Sequence, residues 1–484
     1  MKEAIDRLAF SLLMKNVLRC LAVALCSLAG WLSAKPGQPN IVLIYADDLG
    51  WKDVGYQGDG FIETPVLDAL QKEGMSFTNA YASSGNCQPS RACLLSGNYT
   101  PRHHVYAVHS TKRGPVDKMR LEPIPNQDGL ELDDVTIAEA LKAAGYATAH
   151  IGKWHLYNRK TKGGALASDQ GFDFSYDSFG EGELPPGSGG NKKGPPSDPK
   201  GVFDLSGKAQ DFMREHQDEP FFVYLAHHAP HTPLQARPET KAKFKEKAKQ
   251  LGKSDRKAQF AAMVYDLDAS IGRVLQTIDE LGLKEETLVI FTSDNGGIYQ
   301  WNSQEPLRGD KGCYYEGGIR EPFLARLPGV IPAGATCEEP IIQVDLYPTF
   351  LDLAGGSVEK ELDGESLVPL FSEKGTLQRE AIFWHFPAYL DRTVNRGRDP
   401  IFRTRPVTVI RKGEWKLHLY HEEWLLDGGA EEIDSNHAVE LYHLGNDIGE
   451  RVDLAGTEPE KRDELIADLL AWMDSVDAQF AQPK

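Results

Sequence analysis

Runs of apolar residues of strand length recur along this chain, with helix-patterned segments between them. That alternation limits the possible folds more than any other feature. Residues 40–46, 221–226 and 287–292 carry near-continuous apolar runs, and 146–151 is a more mixed companion. A strand buried on both faces reads this way, because neither face needs polar residues. Between them lie helix signals. Thr64-Pro65 opens a helix with Val66, Leu67 and Leu70 as its apolar stripe and Gly74 as its stop. Residues 134–144 form a second helix, ended at Gly145, and 260–281 a third, with Val264, Leu267, Ile271, Val274 and Ile278 at helical spacing. Strands separated by helices predict an α/β fold with a mostly parallel sheet flanked by helices. From about residue 380 the pattern changes to short aromatic and β-branched runs (407–410, 415–420), followed by a helix near 458–476. This predicts a smaller C-terminal α+β subdomain over 376–484, after a main domain over 38–375. Residues 181–201, rich in Gly, Pro, Lys and Ser, read as a surface loop.

Polar clusters sit just past those strands. Asp47 and Asp48 follow the first, Lys153 and His155 the second, His227, His228 and His231 the third, and Asp294 and Asn295 the fourth. Ligands of open α/β sheets bind beyond the carboxyl ends of the strands, so the four clusters are expected to converge. An isolated Asp pair is more often a turn or a cap, and a lone His more often structural. Four clusters at four strand ends resist that explanation. Asp47, Asp48, Asp294 and Asn295 offer only oxygen, which favours Ca²⁺ or Mg²⁺ over Zn²⁺.

The charge balance narrows the partners. The 484 residues include 53 Lys and Arg against 71 Asp and Glu, a net charge of −18. Nucleic-acid binding is excluded as a main role, because phosphate neutralisation needs a cationic surface. An anionic substrate must instead be drawn in by a metal ion or a few focused cations. The apolar stretch 21–32 follows Lys15 and Arg19 and is too short for a comfortable membrane span. It reads as the core of a signal peptide over 1–34, with Met14 as an alternative start and an uncleaved anchor as the rival reading. No other stretch is apolar enough to span a bilayer, so no integral membrane segment is expected after its removal. The protein is expected to be exported, to the periplasm or beyond the cell, where calcium is plentiful. Of six cysteines, Cys87, Cys93, Cys313 and Cys337 would remain. These are too few to staple a fold of this size, and whether Cys313 and Cys337 pair stays open.

Cys87 carries the strongest motif. CQPSRACLLSG (87–97) resembles the sulfatase signature C-x-P-S-R-x-x-x-L-T-G, with Ser96 in place of Thr. NIVLIYADDLG (40–50), GKWH (152–155), HAPHTP (228–233), SDNGG (293–297) and the stretch 307–329 resemble the family's other active-site segments, and the likeness runs from about Asn40 to the C-terminus. Departures are Glu321 where an apolar residue is common, and Cys93 and Cys313 where small residues are common; none falls on a catalytic position. The resemblance implies an alkaline-phosphatase-like fold and hydrolysis of a sulfate ester to alcohol and sulfate, on a sulfated small molecule or polysaccharide. It implies that a formylglycine-generating enzyme converts Cys87 to formylglycine. One bound Ca²⁺ would be held by Asp47, Asp48, Asp294, Asn295 and residue 87.

The same resemblance assigns the chemistry. Hydrated formylglycine offers one hydroxyl for attack on sulfur and a second for expelling sulfate, which a serine would lack. Lys153 and Lys311 would hold the sulfate oxygens, and His231 or Lys311 would protonate the leaving oxygen. His155 would take the proton from the second hydroxyl. Arg91, four residues after Cys87, would share its helix face and balance the aspartates. Apart from these roles, His227 and His228 are candidates for the pocket wall, with packing or a solvated face as the alternative, and His104 and His385 are candidate substrate contacts. The rival readings are a phosphate or phosphonate ester hydrolase of the same superfamily and a non-catalytic binder of sulfated polymers.

Overall fold

Asn40–Asp47 forms β1, and its odd and even side chains divide between two separate cores. Ile41, Leu43 and Tyr45 enter one cluster, while Val42, Ile44 and Ala46 enter the other. Phe221–Pro230 (β5) and Thr287–Ser293 (β6) divide in the same way, with Leu288 and Ile290 opposite Val289 and Phe291. This explains the unbroken apolar runs: both faces of these strands are interior. The computed structural model describes residues 37–178, 194–372 and 375–484. The expected signal peptide lies outside the described residues, as does most of the 181–201 loop.

The other strands of the main sheet and the longer helices around it are, in chain order, helix α1 (Pro65–Glu73), β2 (Met75–Phe77), α2 (Cys87–Ser96), α3 (Ile137–Ala143), β3 (Ala147–Gly152), β4 (Phe174–Asp177), α4 (Val202–Glu215), α5 (Pro238–Gln250), α6 (Asp255–Glu280), β7 (Leu324–Arg326), β8 (Ala335–Cys337) and α7 (Leu346–Leu353). The strands form one eight-stranded sheet in the order β8–β2–β7–β6–β1–β5–β3–β4. Pairing is parallel throughout except at β7, which runs antiparallel to both β6 and β2. Helices α2, α3 and α7 cover one face through Leu94, Leu95, Ile137, Leu141 and Phe350. Helices α1, α4, α5 and α6 cover the other through Leu70, Phe212, Phe244 and Ile271. Parallel strands joined by crossover helices demand this three-layer arrangement.

Two expectations shift. Thr64 does not cap α1 with its side chain. The first N–H groups of that helix are bonded instead by the Asp268 carboxylate, at 3.0 Å to Val66 N and 2.9 Å to Leu67 N. Strand β5 also runs on through His227 and His228 rather than stopping before them.

After the main sheet, Ala381–Phe386 (β9), Val407–Lys412 (β10), Trp415–Tyr420 (β11) and Val439–His443 (β12) form a four-stranded antiparallel sheet covered by Pro459–Ser475 (α8). Leu465, Ile466 and Leu469 of α8 pack on Ile410, Leu417 and Leu419. This sheet joins the main unit through a buried charged cluster. Lys416 Nζ lies 2.9 Å from Glu316 and 3.0 Å from Glu450, all three side chains fully buried. Arg320 Nε donates to the same Glu316 at 2.7 Å. His385, an expected pocket candidate, is instead a structural residue of β9. It is 2% exposed, and its ring nitrogens bond Thr408 Oγ1 at 2.8 Å and the Gln479 carbonyl at 3.0 Å.

Candidate active site

The clusters at the strand ends do converge. Asp47 ends β1, and Asp48 takes a left-handed backbone, φ 66°, that turns the chain away from the sheet. Non-glycine residues seldom adopt that region, and such strain gathers at functional sites. Asp48 N donates to Asp294 Oδ1 at 3.0 Å, tying the end of β1 to the segment after β6. Lys153 follows Gly152, whose φ is 120° and where any Cβ would fall 1.9 Å from the Ala226 carbonyl oxygen. Only glycine lets β3 approach β5 this closely. Lys153 Nζ then reaches both Asp47 oxygens, at 3.0 and 2.8 Å.

Helix α2 starts at Cys87 and aims its N-terminal end into this cluster, an end that favours anions. Arg91, one turn on, is fully buried. Its Nε and Nη2 donate to Asp294 Oδ2 at 3.2 and 2.7 Å, and its Nη1 donates to the Lys153 carbonyl at 2.9 Å. Lys311 Nζ donates to Asp48 Oδ1 and lies 4.0 Å from Cys87 Sγ. His231 Nδ1 donates to its neighbour's carbonyl, Thr232 O, at 2.7 Å, so Nε2 is the atom that faces Asp48, 3.8 Å away. His155 is buried, also with a left-handed backbone (φ 65°). Every expected catalytic and metal-binding residue therefore lies in or beside one buried cluster.

Its electrostatics follow from burial set against charge. Burial pushes the Asp47 carboxyl up, but Lys153, His231, Arg91 and Lys311 together hold it well below the usual carboxylate range. Burial also raises Asp48, and Lys311 with His231 brings it below its ordinary value. Asp294 goes the other way: burial and the charge of Asp47 push it up to about 7 despite Arg91. Burial keeps the Cys87 thiol above its ordinary value. Burial, then Lys153 and Arg91, holds His155 well below its ordinary value, so its ring is neutral.

The donor set suits a hard cation. Ligand atoms of Asp47, Cys87 and Asp294 lie within 4.8 Å of one another. Asp48 Oδ2 and Asn295 Oδ1 are buried acceptors with no hydrogen-bond donor among the described residues. Buried acceptors left this way are costly unless something positive meets them. Asn295 Nδ2 donates to Asp48 Oδ1 at 2.9 Å, which fixes which end of the amide turns inward. The thiol is the one soft donor and is mismatched to the rest.

Some neighbours escaped the sequence reading. Lys200 Nζ donates to the His231 carbonyl at 2.6 Å and to the Pro233 carbonyl at 3.3 Å, pinning the turn that presents His231. Burial lowers its amine to about 8. Nothing in its Gly- and Pro-rich surroundings signals this role. Glu321 is fully buried, and burial followed by Asp294, Asp53 and Asp48 pushes it well above the usual range. It is thus a neutral acid beside the metal-type carboxylates, closer to the site than its place in the motif suggests. His228 Nε2 pairs with Ser178 Oγ at 2.9 Å, and His227 is wholly interior. His104 pairs through Nδ1 with the Tyr106 hydroxyl at 3.0 Å. The four cysteines outside the N-terminal segment are free, so Cys313 and Cys337 do not pair.

Comparison with known proteins gives this arrangement its class. The sulfatase family model matches residues 39–357, and the model of the N-sulphoglucosamine sulphohydrolase C-terminal region matches 308–427. The chain belongs to the sulfatase family and is a sulfuric ester hydrolase. Among its relatives, arylsulfatase A of Homo sapiens is 34% identical over 490 residues, spanning 91% of this chain and 88% of that one. N-acetylgalactosamine-6-sulfatase of Rattus norvegicus is 29% identical over 500 residues, 92% of this chain and 87% of that one. The crystal structure of Ps i-CgsB in complex with k-i-k-neocarrahexaose superposes with a TM-score of 0.70 at 28% identity, covering 92% of this chain and 95% of that one. Sulfatases generally use formylglycine and a divalent metal, and Asp47, Cys87 and Asp294 form a group that could hold such a metal.

Proposed function

We propose that the protein is an exported sulfatase that hydrolyses a sulfate ester of a carbohydrate, using formylglycine formed from Cys87 and one Ca²⁺. The observation that carries the reading is the position of residue 87. It opens a buried helix, 4.0 Å from Lys311 Nζ, amid oxygen ligands that a thiol does not match. Asp47, Asp48, Asp294, Asn295 and residue 87 would hold the cation. Formylglycine would supply the attacking oxygen, and the cation would withdraw charge from the sulfate. A carbohydrate substrate is supported by the activity named for the N-acetylgalactosamine-6-sulfatase relative and by the neocarrahexaose bound to Ps i-CgsB. Within the described residues no helix is long and apolar enough to cross a membrane. Export rests on the N-terminal sequence.

The chain's own residues divide the work. Lys153 and Lys311 bind sulfate oxygens, each already oriented by an aspartate. Arg91 holds Asp294 and, through the Lys153 carbonyl, fixes the backbone that presents Lys153. Of the two candidates for protonating the leaving oxygen, His231 is lowered by burial and carries its proton on Nδ1, which leaves Nε2 with none to give. Lys311 is the one that keeps its proton at neutral pH, because Asp48 and its neighbours outweigh burial. Neutral His155 accepts a proton as sulfate leaves. Expressing the protein with and without a formylglycine-generating enzyme tests the reading. Aryl sulfate turnover should rise in proportion to the modified fraction measured by peptide mass. Full activity in wholly unmodified protein would refute it.

A further inference from the structure

Beside the cluster opens a cavity, of about 670 Å³, that the proposed chemistry does not use. Its wall includes Thr232, next in sequence to His231, and Asp310, next to Lys311, so it adjoins the place where the ester would be cut. Three arginines line it: Arg256 from the first turn of α6, and Arg392 and Arg403 from the C-terminal part of the chain. In a protein of net charge −18, cations gathered in a concavity need a reason. Local acids supply only part of it, through Asp310 opposite Arg403. Arg256 and Arg403 make no ion pair among the described residues, and Arg392 meets only Asp391, at 3.6 Å, with its side chain 79% exposed. Arg403 Nη1 donates to the Lys311 carbonyl at 2.7 Å, while its Nε is buried without an acceptor. The one carboxyl in the wall, Asp310, is pushed by burial up to about 6 even with the Arg403 charge against it. Trp301, held against Phe260 at 5.7 Å between ring centroids, adds a rigid apolar side.

From this geometry we infer that the cavity is a second anion site. It takes a carboxylate or a further sulfate on the sugar bearing the scissile ester or on its neighbour. The inference rests on the carbohydrate reading above and deepens it: the substrate is a polyanionic saccharide rather than a singly sulfated neutral one. Arginine suits this task because its planar fork meets carboxylate or sulfate oxygens in pairs. Arg403 has a further consequence. It grips the backbone of Lys311, so an anion bound there meets a side chain already tied to the catalytic loop.

The test uses fully modified enzyme and three disaccharides sharing one sulfate ester: one otherwise neutral, one with a uronate carboxylate, and one with a second sulfate. 4-Nitrophenyl sulfate is assayed beside them. The expected result is a kcat/KM at least tenfold higher for one of the two dianionic sugars, carried mainly by KM. Which sugar wins names the group. The double variant Arg256→Gln/Arg392→Gln, altered at exposed positions that the fold does not need, should bring that ratio to within about threefold of unity. Taking the ratio cancels any loss common to all substrates. Saccharides cleaved without preference, or a preference that survives both substitutions, would overturn the second site and leave the sulfatase reading standing. Cleavage of the aryl sulfate with none of the sugars cleaved would overturn both the carbohydrate reading and the site built on it.

Discussion

Replacing Lys416 by Met is the sharpest perturbation of the joint between the two sheets. Lys416 sits between Glu316 and Glu450 at 2.9 and 3.0 Å, with no side chain of the three exposed. Methionine fills a similar volume but leaves two carboxylates buried together without their shared cation. Breaking a buried ion pair from one side costs roughly 3–5 kcal/mol. Since the shift in midpoint per kcal/mol falls with chain length, this should lower the thermal midpoint by roughly 4–8 °C at pH 8. The pH dependence discriminates further. In the wild type, burial raises Glu450 to about 7, with Lys416 opposing it, whereas Glu316 is held low by Lys416, Arg320 and Arg411. Glu450's folded value thus lies above its unfolded one. Its contribution to stability is full below the unfolded value near 4.5 and is lost as pH rises through about 7. Removing Lys416 raises Glu450 further, so the variant's deficit should be greatest above pH 7 and should narrow toward pH 5.5. Scanning calorimetry of both proteins at a fixed rate, at pH 5.5, 7 and 8, measures this directly. A deficit below about 1 kcal/mol at pH 8, or one unchanged at pH 5.5, would refute the argument.

Other outcomes follow from the site and the core. Chelation should abolish sulfate ester turnover, Ca²⁺ should restore it better than Mg²⁺, and Asp294→Ala should cost at least about a hundredfold in kcat/KM with either ion, since it removes a ligand and the partner of Arg91. Cys87→Ala should be inert however the protein is expressed, yet melt within about 2 °C of the unmodified protein, because only the Sγ at the start of α2 is lost. His103, His227 and His385 are buried and held near 3, below the unfolded value of 6.5. The stability they contribute is present above pH 6.5 and is lost as pH falls toward 3. Each should cost about 1 kcal/mol by pH 5.5, and a midpoint difference between the wild type and His227→Phe that is flat from pH 7 to 5 in the presence of Ca²⁺ would contradict this.

What was legible in the sequence was whatever depends on neighbours along the chain. The strands of the main sheet showed because burial on both faces leaves an uninterrupted apolar run. The convergence of Asp47, Lys153, His231 and Asp294 showed because parallel strands share one carboxyl end. Interactions between distant segments did not show. The N–H groups of α1 are bonded by Asp268, some two hundred positions away, so the local Thr-Pro signal named the wrong cap. β7 is three residues long and antiparallel, too short for any periodicity to register. Lys200 acts through its amine on a turn in another segment, and Glu321 reads as a departure from a motif until its burial beside Asp294 is seen. The charges of Glu316, Lys416 and Glu450 look like surface residues in sequence, because nothing local announces that their partners are one another.

The burial of α2 also sets a clock. All ten residues from Cys87 to Ser96 are enclosed, Arg91 completely. On the proposed formylglycine reading, an enzyme that must grip this segment to convert residue 87 would not reach it once the sheet has closed. Closure waits for Asp294, the partner that locks Arg91, which leaves the growing chain roughly 200 residues after the helix. At synthesis rates of about 5–20 residues per second, that interval is about 10–40 s. On that reading the proportion of active enzyme would be decided by a race between two rates, modification and folding, and fixed for the life of each molecule. Slower elongation between residues 97 and 294, or a substitution that delays assembly of β6, would raise the specific activity of the finished protein without touching its active site.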